Sequence, residues 1–188
     1  HDIWPNLKFY VHGGVSFTPY RKGFEKLLGQ PLHYMETFLA SEGFIAFQDK
    51  PGHTSMKMVL DNGAFYEFIP FTSKNFGEDG ELKSNCEVLR IDQVEDHRPY
   101  AILMSTNAGA WRYLIGDTIK FTSLNPYRIQ ITGRTKHFIN VFGEELIIEN
   151  TEKALEMTCK QTGAEILDYT VAPIFMKGKQ KGTHEWMI

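Results

Sequence analysis

Apolar and polar residues alternate along this chain in two rhythms, and the switch between them marks out its organisation. Leu7 to His12 reads as a strand closed by Gly13-Gly14. Thr18 then caps and Pro19 opens a short helix with Tyr20, Phe24, Leu27 and Leu28 at helical spacing, and Gly29 stops it. A second strand follows from Leu32 to Thr37. Two strands separated by a helix in this way lie parallel in one sheet, with the helix as crossover. The turn Ser41-Glu42-Gly43 closes this α/β opening.

From Phe44 to Ile131 the pattern becomes a series of short β runs: "FIAFQ", "MKMVL", "AFYEFI", "CEVLRI", "YAILMST", "RYLI", "TIKFTS" and "RIQIT". Asp61-Asn62-Gly63, Glu78-Asp79-Gly80 and Asn107-Ala108-Gly109 punctuate them. Many alternate apolar with polar, which predicts a twisted, mostly antiparallel sheet or a partial barrel. Gly116-Asp117 is read as the turn between two strands, Trp111 to Ile115 and Thr118 to Phe121. Past Gly133-Arg134 the rhythm changes again, to a strand from His137 to Val141, a glycine loop and a helix from about Asn150 to Thr162 stopped by Gly163. A strand around Ile166 to Phe175 and the closing "HEWMI" complete a second α+β unit, with the boundary near Arg134 to Lys136. The expected fold class is thus mixed α/β.

Composition narrows the function. With 188 residues, 42% hydrophobic, the chain can bury a core. A net charge of −3 supplies no excess of Lys and Arg to neutralise a nucleic-acid backbone, although a nucleotide ligand stays open. Cys86 and Cys159 lack metal-ligand spacing and read as buried free thiols, which suggests a reducing, cytoplasmic setting. No apolar run reaches the roughly 20 residues of a membrane span. Both ends resemble interrupted strands, so a segment of a longer protein is expected. Trp111, Tyr66 and Phe68 are expected in the core, and His12 as a packed histidine near the Gly13-Gly14 step. The sequence does not speak to oligomeric state.

Two acidic positions carry alternative readings. Gly116-Asp117 is either turn punctuation or an aspartate at a strand end, able to accept hydrogen bonds from both hydroxyls of a ribose. Glu42 is either a solvated turn residue or a carboxylate suited to Mg²⁺, which favours one or two carboxylates together with substrate phosphates. Ser41 beside it is able to donate to a phosphate oxygen.

Order turns these weak signals into one. Gly13-Gly14, Phe38-Leu39-Ala40-Ser41-Glu42-Gly43, Gly116-Asp117, Gly133-Arg134-Thr135-Lys136 and then Gly143 run in a series that resembles the adenylate-forming superfamily. Within it the likeness is closest to the auxin-responsive acyl-acid amido synthetases, carried by "WPNLKFYVHGGVSFTPYR", "FLASEGFIAF", "FYEFIPF", "AWRYLIGD" and "GRTKHFINVFGEELIIENTEKAL". The resemblance suggests a bacterial member, and a fragment of it. It implies a ligase that adenylates a small carboxylic acid with ATP and Mg²⁺, then forms an amide with an amino acid. An acyl-CoA ligase and a nucleotide-binding regulatory or interaction protein are the alternatives. Residues 1–134 would be the C-terminal portion of the large nucleotide-binding domain, and 135–188 the start of a small mobile domain.

By position, the resemblance implies that Phe38 stacks on adenine, Ser41 lies near the α-phosphate and Glu42 binds Mg²⁺. Asp117 would hold the ribose, with Tyr113 and Arg134 beside the nucleotide, and Gly13 and Gly14 would let ligand groups approach the backbone. Lys136 would be the hinge of the small domain, and Gly143 would lie in the loop that its rotation delivers. Three departures stand out. Leu114 replaces the arginine expected after Tyr113, leaving only Arg112 nearby; no Ser/Thr/Gly-rich phosphate loop occurs; and the loop that carries a phosphate-reaching lysine in plant members reads Gly143-Glu144-Glu145-Leu146. Lys177, Lys179 and Lys181 form the remaining basic cluster, read as a solvated loop.

Overall fold

The computed structural model describes residues 4–14, 17, 21–29, 32–136, 138–139, 146–166, 168–174 and 183–188. Strand β1 (Phe9–Gly13), helix α1 (Arg21–Leu28) and strand β2 (His33–Ala40) form the opening unit. β1 and β2 pair in parallel, Gly13 opposite Thr37, as the intervening helix requires. Gly29, at φ +63°, ends α1 by donating its N–H to the Glu25 carbonyl at 3.0 Å. The proposed cap, Thr18-Pro19, lies outside the described residues. Helix and strands meet through rings: Tyr10 and Phe24 lie 4.6 Å apart, and the Arg21 guanidinium lies 4.8 Å from the Tyr34 ring centre.

The β2 chain reverses through Ser41 and Glu42 into β3 (Gly43–Phe47), Ala40 pairing with Gly43 across a two-residue turn. β4 (Met56–Met58), β5 (Ala64–Pro70), β6 (Leu89–Arg90), β7 (Pro99–Thr106), β8 (Tyr113–Leu124) and β9 (Tyr127–Arg134) complete a nine-stranded sheet in the order β1-β2-β3-β4-β9-β8-β7-β5-β6. All pairs except β1 and β2 are antiparallel.

The sheet is open at its edges but strongly curled. Phe38 of β2 and Tyr66 of β5, far apart in strand order, belong to one buried cluster with Met56, Phe68, Tyr100, Phe121 and Ile129. The side chain of Asn62, just before β5, donates to the Phe44 carbonyl of β3 at 2.8 Å, closing the curl from the other side. A partial barrel is the form in which one face of alternating strands can wrap its own core. Beyond β9 come β10 (Phe138–Ile139), β11 (Leu146–Ile147), α2 (Ile148–Thr162), β12 (Thr170–Ile174) and β13 (Thr183–Met187), with β10–β11 and β12–β13 as antiparallel pairs. Gly163, at φ +74°, closes α2 by bonding the Cys159 carbonyl at 2.9 Å.

Three expectations change. Trp111 is 81% exposed, not core, because it precedes β8 on a turn in which Arg112 adopts φ +46°. "RYLI" and "TIKFTS" are not two strands around a Gly-Asp turn: β8 is one continuous strand of 12 residues. The cysteines are free as expected, but half-buried. Gly143 and the lysines at 177, 179 and 181 lie outside the described residues.

Candidate functional site

Asp117 owes its position to an irregularity in β8. Against β7, Ala101 pairs with Thr118 and Leu103 with Leu114, so Ile102 faces the three residues Ile115, Gly116 and Asp117. The surplus makes a bulge, and Gly116 absorbs it at φ +90°, a conformation open to glycine at little cost. The Gly116 carbonyl then accepts the N–H of Thr135 at 2.8 Å, and the bulge turns Asp117 opposite Arg134 of β9. Arg134 Nε lies 3.1 Å from Asp117 Oδ1. A glycine-aspartate pair that looks like a turn in sequence is here a device for aiming a carboxylate out of a strand.

Glu42 reaches the same place from the other end of the chain. Gly43 packs beside Met104, where a Cβ on it would make ordinary contact at 3.5 Å with both Cε and Sδ, and Met104 pairs with Tyr113 at the start of β8. The tip of the β2–β3 hairpin therefore stands beside the strand that carries Asp117. Electrostatics agrees: burial pushes the Asp117 carboxyl above the ordinary aspartate range, Arg134 pulls it down, and the charge of Glu42 adds to the upward push. Among the described residues, no ion pair engages Glu42. Two carboxylates thus converge with one guanidinium between strands, while Ser41 is exposed on the hairpin tip. Among the described residues, no group of three or more His, Cys, Asp or Glu is arranged to hold a metal by itself. A site with one free carboxylate matches a metal whose other ligands arrive with a substrate.

The other expected residues are distributed around this pair. Tyr113 is 48% exposed, within the same strand as Asp117. Phe38 is turned the opposite way, 5% exposed inside the sheet core, where its ring packs rather than presenting a free face. Gly13 serves the β1–β2 contact, since a Cβ there would lie 2.5 Å from the Thr37 carbonyl oxygen; Gly14, at φ +92°, has open space around it. Lys136, two residues past Arg134, points to Glu81, with Nζ 2.7 Å from Oε1. His12 is half-buried, and burial together with nearby Arg21 lowers its pKa.

Arg112 does not stand in for the arginine missing at Leu114. Its Nε lies 2.9 Å from Glu67 Oε2 and its Nη2 3.1 Å from Oε1, a two-pronged pair away from Asp117. The cation beside Asp117 is Arg134. Sequence reasoning placed Arg134 near the nucleotide but missed its pairing with Asp117. The signal was present, since "GD" and "GR" fall opposite each other when β8 and β9 are folded about the turn at Asn125-Pro126. Glu67 and Glu81, which position Arg112 and Lys136, carried no signal in sequence.

Known proteins share both sequence and fold with this chain. Residues 57–134, the stretch from β4 to Arg134, match the GH3 family central domain. The chain is 27% identical over 188 residues to the jasmonoyl-L-amino acid synthetase GH3.5 of Oryza sativa subsp. japonica, covering 89% of this chain and 31% of that protein. It is 22% identical over 179 residues to the indole-3-acetic acid-amido synthetase GH3.2 of Arabidopsis thaliana, covering 89% of this chain and 32% of the relative. In structure it resembles the AtGH3.15 acyl acid amido synthetase in complex with 2,4-DB, with a TM-score of 0.69 at 18% identity over 98% of this chain and 31% of that one. The fold is therefore that of an acyl acid amido synthetase, and the chain spans about a third of the length of the relatives it matches. The central-domain match thus covers the strands that carry Asp117 and Arg134, and amido synthetases named GH3 are similar to this chain along most of its length.

Proposed function

We propose that the intact protein is an ATP-dependent acyl-acid amido synthetase, which adenylates a small carboxylic acid and then joins it to an amino acid. The observation that carries this reading is the convergence of Glu42 and Asp117, from hairpin tip and strand bulge, with Arg134 paired to Asp117. Asp117, when ionised, accepts the two hydroxyls of the ribose, and Arg134 holds its carboxylate in register for that task. Glu42 is the protein ligand of Mg²⁺, and Ser41 donates to the α-phosphate. Mg²⁺, when bound, neutralises charge that builds on the phosphates.

The reaction proceeds in two steps. The acid's carboxylate attacks the α-phosphorus of ATP, forming a new P–O bond as pyrophosphate leaves with the electrons of the broken one. The amine then attacks the acyl carbon, loses a proton and releases AMP. The chain's own residues contribute alignment and charge more than covalent chemistry, the usual division of labour in adenylyl transfer. Tyr113, exposed on the strand that bears Asp117, lines the nucleotide side, whereas Phe38 supports the core behind it. Gly13 and Gly14 leave open backbone at the end of β1.

Residues 1–134 form the C-terminal part of the nucleotide-binding domain, and residues 135–188 begin the small domain, which turns about Lys136 between the half-reactions. Small-molecule acids and amino acids are the partners. Among the described residues, no helix is long and apolar enough to cross a membrane.

The deciding experiment uses the full-length protein. Mg²⁺-ATP at a hundred times its Kd should raise the melting temperature by about 2–3 °C, and Asp117→Ala should remove the rise. Acid-dependent ATP–pyrophosphate exchange should accompany it, with an amino acid, not coenzyme A, as the second substrate. Binding without exchange would identify a regulatory nucleotide-binding protein instead, and thioester formation an acyl-CoA ligase. No effect of ATP at all would refute both site and function.

A further inference from the structure

Between β5 and β6 the chain folds back over Ile69, Ala101 and Leu103, packing Phe71 and Phe76 onto them. Asn75, fully buried, braces the segment: its Nδ2 donates to the Pro70 carbonyl at 2.8 Å, its Oδ1 accepts the Glu87 N–H at 3.0 Å, and its carbonyl accepts Lys83 N–H at 2.8 Å. At the tip, Gly77 N–H donates to the Glu81 carbonyl at 2.8 Å, Gly80 N–H to the Gly77 carbonyl at 3.0 Å, and Glu81 N–H to Asp79 Oδ1 at 3.0 Å. A loop with so many internal bonds and an apolar anchor behaves as a fixed body.

That body touches the chain just where β9 ends. Gly80, at φ +74°, lies against the backbone beyond Arg134 so tightly that a Cβ on it would fall 1.9 Å from the Thr135 oxygen, 2.7 Å from its carbonyl carbon and 3.0 Å from Lys136 Cα. All three are main-chain atoms, which cannot swing aside as a side-chain tip does. Glu81, the next residue, pairs with Lys136. On the opposite side, the Thr135 N–H donates to the Gly116 carbonyl within the β8 bulge at 2.8 Å. Thr135 is thus clamped between loop and bulge, 2% exposed, one residue from Arg134 and one from Lys136.

We infer that the Gly77–Leu82 loop is the bearing of the hinge: Gly80 fixes the Thr135 backbone, and with it the Arg134–Asp117 pair, while Glu81 is the catch that holds Lys136 in the conformation seen here. Gly80 and Glu81 are positioning residues, acting through Thr135 and Lys136 and touching no substrate. The inference rests on the proposed function in taking Lys136 as the pivot and Asp117 as the ribose carboxylate. Rotation of the small domain must break the Glu81–Lys136 pair but leave the Gly80–Thr135 contact intact, so that the carboxylate holding the ribose stays aligned through both half-reactions.

Hydrogen exchange read by mass spectrometry on the full-length protein tests the bearing without needing activity. An exposed ion pair is a weak tie, so Glu81→Gln should speed exchange in a peptide spanning Thr135 and Lys136 by about twofold to fivefold. A β1 peptide, Phe9 to Gly13, on the far edge of the sheet, should be unaffected. Gly80→Ala should speed it roughly tenfold or more, because its strain is against main chain; if that variant does not fold, Glu81→Gln decides alone. The charge exchange Glu81→Lys with Lys136→Glu should restore protection. Unchanged hinge exchange, equal acceleration in both peptides, or failure of the charge exchange to restore protection would overturn the inference. In the active protein, Glu81→Gln should also change the ratio of pyrophosphate exchange to amide formed by about twofold to fivefold, and equal changes in both rates would overturn it too. A parent protein without acid-dependent exchange would sink the functional reading alone, since hydrogen exchange still judges the loop.

Discussion

Glu36 and Asp117 are carboxyls raised by burial, yet they differ in what offsets it. Burial alone raises Glu36, on β2 beside the core. Protonation then favours the folded state, so the stability it confers is complete below the unfolded pKa and is lost as pH rises through the higher folded value. Glu36→Gln should therefore flatten the fall in stability on the neutral side and raise the melting temperature at pH 7 by about 2–4 °C, for a gain of about 1 kcal/mol. A melting curve that keeps its pH slope in the variant would show that Glu36 is not the source. Asp117 has Arg134 to oppose burial and Glu42. Removing that cation by Arg134→Ala lets its pKa climb further. If Asp117 holds the ribose as proposed, binding needs its ionised form, so the acid limb of Mg²⁺-ATP stabilisation should move to higher pH, measured as the ligand-induced melting shift at several pH values. An unmoved limb would mean that Arg134 does not tune Asp117.

At the scale of elements, β8 decides the site. A strand of 12 residues with Gly116 at φ +90° holds Asp117 outward, opposite Arg134 of β9. Gly116→Ala meets Arg134 Nη2 only at an ordinary 3.7 Å, so its cost is in the backbone, about 1–2 kcal/mol, and it should weaken Mg²⁺-ATP stabilisation more than it lowers the apo melting temperature. Equal losses in both would assign Gly116 to stability alone.

The same strand shows what was legible in sequence. Alternation and turn residues disclosed β1, β2, β5, β7, β9 and α2, because half-buried strands and amphipathic helices write their period into the chain. They also disclosed the parallel β1–β2 pair, because a helix between two strands leaves few other connections. The bulge in β8 was not legible: a glycine at positive φ inside a strand and one inside a turn look alike until a partner strand supplies the register. Trp111 misled for a related reason, since large apolar residues are common in cores but hydrophobicity does not record which strand begins where. Glu42 and Asp117 were legible only through the order of several blocks. The loop that presses Gly80 on Thr135 was invisible, because packing against main chain leaves no pattern in composition.

For the whole molecule, the question is how much of the reaction these 188 residues support. They hold the two carboxylates and Arg134, but the sequence contains no Ser/Thr/Gly-rich loop to cradle phosphates, and the chain spans about a third of its relatives. Adenylation develops charge on the phosphates as the new bond forms, and each fixed donor aimed at such charge is worth about 10²–10³ in rate. On the proposed reading, Asp117 and Glu42 would place ATP and its metal, and the metal would offset part of that charge, but fixed hydrogen-bond donors around the phosphates would still be missing. The polypeptide alone should therefore show Mg²⁺-ATP binding through a small melting shift that Asp117→Ala abolishes, with acid-dependent pyrophosphate exchange at background. The full-length protein under the same conditions should exchange rapidly. Brisk exchange by the 188 residues alone would mean that phosphate stabilisation comes from within them, and the search for its donors would turn to the hairpin tip at Ser41 and the turn at Gly14.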